Sequence, residues 1–94
     1  MRRKDVVGIT KITLDVMKPR EVSIVDLTLA LGKVHGVETV EVYVTEVDVK
    51  TETLKITLTG WGIATREVEE LLEHYAATIR SIDAVSASKR KLLA

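Results

Sequence analysis

Apolar residues recur at every second position in three stretches of this chain, less regularly in a fourth, and at every third or fourth position in two others, and the order in which the period changes leaves few folds open. Ile12, Leu14 and Val16 alternate with Thr13, Asp15 and Met17, which predicts a half-buried strand over Gly8–Met17 that Pro19 cannot continue. Ser23 then stands where a helix N-cap belongs, with Asp26 at the capping-box position. Ile24, Leu27, Leu31 and Val34 follow at helical spacing, so a helix is expected over Ile24–His35 with Gly36 as its stop. Val40, Val42 and Val44 open a second strand signal that runs from Val37 to Val49. Its apolar phase slips by one at Val47, which predicts a bulge near Thr45–Glu46 or an end that leaves the core. Leu54, Ile56 and Leu58 form a third strand that Gly60-Trp61-Gly62 ends. Thr65 is placed to cap a second helix with a stripe of Val68, Leu71, Leu72, Tyr75, Ala76 and Ile79, and Arg80–Ala87 reads as a fourth, weaker strand.

The order β-α-β-β-α-β, with right-handed crossovers, interleaves two β-α-β units into a four-stranded antiparallel sheet with both helices on one face. This is the ferredoxin-like α+β sandwich, with the first and third strands central. A chain of 94 residues holds one such domain, residues 1–94, and residues 1–7 and 89–94 read as mobile basic tails. Only 3% of residues are aromatic, so the core has to be built from Val, Ile and Leu.

The same composition removes several function classes. With no cysteine there is no disulfide, no thiolate metal site and no cysteine nucleophile, which excludes the metallochaperone version of this fold. Fourteen basic residues balance fourteen acidic ones, so bulk charge gives no attraction to nucleic acid. No apolar run is long enough to span a bilayer and no signal-peptide core follows Met1-Arg2-Arg3-Lys4, so no membrane association and a cytoplasmic location are expected. The outward positions of the two central strands are Thr13, Asp15, Lys55, Thr57 and Thr59. None is an aromatic on which an RNA base could stack.

Three stretches taken together, ITLDVMKP at Ile12–Pro19, SIVDLTLAL at Ser23–Leu31 and SIDAVSASK at Ser81–Lys89, resemble the archaeal family called domain of unknown function 211. The resemblance implies a small ferredoxin-like protein that forms homo-oligomers. No activity is established for that family, so it supplies no catalytic residues.

Four groups of residues could carry chemistry. Asp15 lies late in the first strand and Asp83 early in the last, its antiparallel neighbour, and paired carboxylates beside hydroxyls suit Ca²⁺ or Mg²⁺; the plainer reading is two solvated Asp residues. Arg2, Arg3, Lys4, Lys89, Arg90 and Lys91 should emerge at one edge and could hold an anion or a nucleic acid, or simply aid solubility. They leave residues 5–88 with eight basic residues against fourteen acidic. Glu46, Asp48 and Glu52 read as edge charge that deters unwanted strand pairing. Trp61 between two glycines, and Tyr43 on the open sheet face, read as interface anchors, with Trp61 alternatively a cap over the second helix. His35 and His74 sit at and on helices with no Ser-His-Asp spacing, so no enzyme is expected. Val47, Val49, Met17 and Val85 are expected beside Tyr43 on the open face, too apolar for a bare surface. The expectation is therefore a non-enzymatic homo-oligomeric binding module, holding a divalent cation through Asp15 and Asp83. The alternative is a nucleic-acid or anion-binding protein that uses the basic termini.

Overall fold

A computed structural model describes residues 3–93. Its elements run β1 (Arg3–Pro19), α1 (Ile24–Leu31), β2 (Val37–Val47), β3 (Thr51–Gly60), α2 (Thr65–His74) and β4 (Thr78–Leu93). The sheet order is β2-β3-β1-β4 with every neighbouring pair antiparallel, which is the ferredoxin-like arrangement with β1 and β3 central.

The helices follow their local signals, with shifted ends. The Ser23 hydroxyl accepts the Asp26 amide at 3.2 Å and opens α1. The helix stops a turn before His35 because its hydrogen bonds tighten after Leu31: Lys33 donates to Ala30 and Val34 to Leu31, three residues back. Gly36, at φ +85°, turns the chain into β2. Thr65 is the first residue of α2 and not its cap; Ala64 holds that place without a capping side chain and donates its N–H to His35 O at 3.0 Å. At the far end Ala76 takes φ +57° and Ala77 donates to Leu72 O at 2.8 Å, a turn that ends α2 at His74 and sends Ile79 into β4.

Ile12, Leu14 and Val16 of β1 and Leu54, Ile56 and Leu58 of β3 form the floor of the core, closed by Leu27 and Leu31 of α1 and Val68 and Leu72 of α2. Lys18 continues the inward phase of β1 and is 1% exposed. Its ammonium is paired with Glu52 on β3 and donates to Pro19 O at 3.0 Å, so the buried charge is met.

The segments expected to be tails are strand wherever they are described. Lys4 pairs with Leu92, Val6 with Arg90 and Gly8 with Ser88, so β1 and β4 run past the end of β3 as a two-stranded ribbon. The ribbon gives a molecule only 21 by 17 Å across a length of 58 Å. The signal was missed because the outer half of β1 has no buried alternation: the hydrophobic sheet partner that would impose it is absent.

Bulges set which side chains face where. Thr45 is the extra residue in β2, as expected from its shifted phase, and Glu38 is a second one. Against β1, the extra residues in β4 are Arg80 and Asp83, and Thr10 is extra in β1. These shifts turn Val85, paired with Ile12, toward the helices, which corrects its placement on the open face. Val47 shares a row with Glu52 and the inward-facing Lys18, and Val49 lies in the turn beyond β2. The open face is thereby left to threonines, charges, Met17 and Tyr43.

Candidate functional site

Lys55 is the centre of the open face. On β3 it lies opposite Asp15 of β1 and Tyr43 of β2, with a threonine pair, Thr13 and Thr57, hydroxyl to hydroxyl at 3.2 Å in the next row outward. Asp83 does not face Asp15; the cross-strand partner of Asp15 on β4 is Ser81, and Asp83 is displaced by the bulge it forms. Lys55, Asp83 and Ser81 are linked. Lys55 Nζ lies 3.0 Å from Asp83 Oδ2, and the Ser81 hydroxyl donates to Asp83 Oδ1 at 2.7 Å. The Ser81 hydrogen bond, then Lys55, hold the Asp83 carboxyl below its ordinary value. Asp15 Oδ1 is covered and has no hydrogen-bond partner. Among the described residues no three carboxylate or imidazole groups gather closely enough to hold a metal by themselves. The positive charge beside Asp83 is supplied by Lys55.

Tyr43 is exposed, and its hydroxyl donates to Glu41 Oε2 at 2.9 Å. That hydrogen bond, and then the Glu41 charge, push the phenol above its ordinary value.

Trp61 does not cap the start of α2; it packs at the root of the ribbon. Its indole lies on the Gly8 backbone at the root of the ribbon, its Nε1–H donates to Ser88 Oγ at 3.1 Å, and the Arg90 guanidinium stacks 4.4 Å above the ring. A Cβ at position 8 would stand 2.7 Å from the indole, so glycine is what lets the ring approach. Trp61 N–H donates to Gly36 O at 2.9 Å, and Gly60 packs against that same carbonyl too closely for any side chain. The α1–β2 turn, the β3–α2 turn and the ribbon thus meet in one junction. His35 completes it: its amide donates to Glu67 Oε2 at 3.0 Å and its Nδ1 lies 2.7 Å from Glu67 Oε1. The backbone hydrogen bond, then the imidazole, hold the Glu67 carboxyl below its ordinary value. The His-carboxylate pair therefore fastens loops, while His74 stands edge-on to Tyr75 at 5.4 Å.

Of the six basic terminal residues, Arg2 lies outside the described residues and Arg3 is placed by its backbone. Lys4, Lys89, Arg90 and Lys91 are exposed on the ribbon, with Lys89 and Lys91 on one face and Lys4 and Arg90 on the other.

One feature went unread in the sequence. Between α2 and β4 runs an apolar groove of about 230 Å³, lined by Ile9, Ile12, Val68, Ile79, Ile82 and Val85 among others. Ile82 and Val85 are more than half exposed because α2 does not reach across to the β4 edge. Val85 in its correct phase was the clue, hidden by the bulge at Asp83.

The sequence profile of DUF211, described as an uncharacterized ArCR, matches residues 10–92, nearly the whole of the fold just described. This chain belongs to the DUF211 family. The DUF211 chain is also 39% identical over 83 residues to "Uncharacterized protein MJ0319" of Methanocaldococcus jannaschii, a match covering 88% of this chain and 86% of the other. The matched span takes in Asp15, Tyr43, Trp61, Asp83 and most of the ribbon strand β4, and omits the outer half of β1. No helix among its described residues is long and apolar enough to cross a membrane.

Proposed function

We propose that this DUF211 chain is a non-enzymatic binding module whose working form is a homo-oligomer in the cytoplasm. The observation that carries the reading is where most of its exposed large apolar side chains lie: of ten among the described residues, Tyr43, Val44 and Val47 are on β2 and Ile82, Val85 and Leu92 on β4, the two edge strands of the sheet, while Val7, Val25, Leu29 and Val49 lie elsewhere. Scattered exposed apolar residues need no explanation, but concentration along two unpaired edges supports burial against another chain.

A divalent cation, Ca²⁺ or Mg²⁺, is the finer part of this reading, and the unpartnered Asp15 Oδ1 favours it. Such a cation takes Asp15 and Asp83 as ligands in place of the Lys55 ammonium, with further oxygens from a neighbouring copy. The rival reading, anion or nucleic-acid binding, draws on the basic ribbon and the Arg90–Trp61 stack.

Light scattering after size exclusion, run in Ca²⁺ and again in EDTA, tests all three. A discrete oligomer is expected, and a monomer at every concentration overturns the assembly. Loosening in EDTA that disappears in Asp15→Asn supports the cation, and indifference to EDTA removes it. Duplex binding that collapses between low and moderate salt and is lost in Lys89→Glu/Lys91→Glu would favour the rival.

A further inference from the structure

The two edges of the sheet carry opposite charge. Strand β2 (Val37–Val47) holds Glu38, Glu41 and Glu46 and not one basic residue. Strand β4 (Thr78–Leu93) holds Arg80, Lys89, Arg90 and Lys91 against Asp83 alone. Both strands are open on their outer side, both lack proline, and with 11 and 16 residues both exceed the usual edge strand of about five or six. Long, unbroken edges are templates for pairing with another strand, and natural proteins blunt them by scattering charge of either sign or by inserting proline. Here the charge is sorted, acid on one edge and base on the other.

We propose that β4 of one copy pairs edge to edge with β2 of the next, so that the sheet continues from copy to copy in a head-to-tail assembly. This deepens the homo-oligomer reading above and rests on it. Strand direction permits the pairing. With β1–β3, β3–β2 and β1–β4 all antiparallel, β4 runs opposite to β2, so copies related by a turn about an axis along the strands meet in an antiparallel ladder. Charge selects it. A β2–β2 contact sets acid against acid and a β4–β4 contact base against base, whereas β4–β2 matches signs and rejects both symmetric alternatives. Spacing supports it: Glu38 and Glu46 are eight residues apart and Arg80 and Lys89 nine, so with Glu46 of one copy opposite Arg80 of its neighbour in an antiparallel ladder, Glu38 falls one residue from the position opposite Lys89. The contact also covers the groove between α2 and β4, because Val40, Val42 and Val44 of β2 share the helix side of the sheet with Ile82 and Val85. A contact between two different surfaces closes into a ring or runs on as a filament, according to the rotation between copies.

The test is a charge exchange between the two edges, using exposed side chains so that the fold is untouched. The variants are Glu38→Lys/Glu46→Lys and Arg80→Glu/Lys89→Glu, each compared with the unaltered chain by light scattering over a concentration series, with circular dichroism and urea unfolding as the check on folding. Each variant alone is expected to need on the order of tenfold more protein to assemble. An equimolar mixture of the two is expected to recover assembly, since each β4 then faces a β2 of opposite sign in alternating copies. Variants that assemble like the unaltered chain, or a mixture that fails to recover, overturn the edge pairing and leave the oligomer standing. Assembly strengthened by Arg80→Glu/Lys89→Glu alone would point to a β4–β4 contact and also overturn it. A monomeric unaltered chain overturns the oligomer reading itself.

Discussion

The two halves of strand β1 pair with the same neighbour, β4, and meet opposite fates. From Ile12 to Lys18 the strand lies between β3 and β4 beneath the helices, and Leu14 is 1% exposed. From Lys4 to Gly8 it has β4 alone, and Val7 is 68% exposed. Both halves pair with β4; what differs is the third strand and the layer above it. An isolated two-stranded ribbon is marginal in water. The order of the outer half therefore depends on the junction at its root, where Trp61 covers Gly8, and on whatever a neighbouring copy adds.

The largest effect should come from breaking the inner half. Leu14→Ala opens a cavity in the floor of the core and is expected to cost about 3 kcal/mol, read as a lower urea midpoint at unchanged slope. At the end of the same half, the buried Lys18–Glu52 pair should respond asymmetrically. Glu52→Gln leaves a buried ammonium without its counter-charge and should cost about 3 kcal/mol, whereas Lys18→Met removes the charge with the stem's volume kept and should be near neutral. Equal losses in the two variants would show that the pair is solvated rather than buried.

Trp61→Ala sharpens the contrast by releasing the outer half alone. Amides of residues 87–93 should lose hydrogen-exchange protection while those of Ile12–Val16 keep theirs, with a global loss of only about 1 kcal/mol. Protection lost evenly along β1 would mean that the two halves are one cooperative unit. The smallest effect belongs to acid. Because His35 holds the Glu67 carboxyl below its ordinary value of 4.5, this contact contributes stability above that pH and loses it as the pH falls through the lowered value. Glu67→Gln should remove that contribution, lowering stability slightly at neutral pH and flattening the acid limb of the stability curve below about pH 4.5, as measured by thermal unfolding across pH.

What could be read in advance follows from the same contrast. Period decides burial where a layer covers the strand, so Ile12, Leu14, Val16 and the β3 triplet were legible, as was the bulge at Thr45 from its broken phase. The outer half of β1 carries no such layer, and its lysines and arginines looked like tail. Topology put Asp83 on the strand beside Asp15, but the two are not opposite each other, because a bulge in β4 is a property of the pairing and leaves no mark in composition. Val85 was turned the wrong way for that reason. Gly8 was the overlooked sign for Trp61, since a lone glycine inside a strand pattern marks a close approach of another group.

The extra residues Thr10, Asp83 and Arg80 in the β1–β4 ladder have a mechanical effect. In a regular two-stranded ladder, sliding one strand by two residues restores every hydrogen bond and every facing, and Ser86–Ser88 or Lys89–Lys91 would hardly object. Here such a slide would have to carry three misfits along with it, two on one strand and one on the other, none of which fits at the new setting. The long ladder is thereby notched like a key, so every copy of the chain offers β4 at one fixed setting.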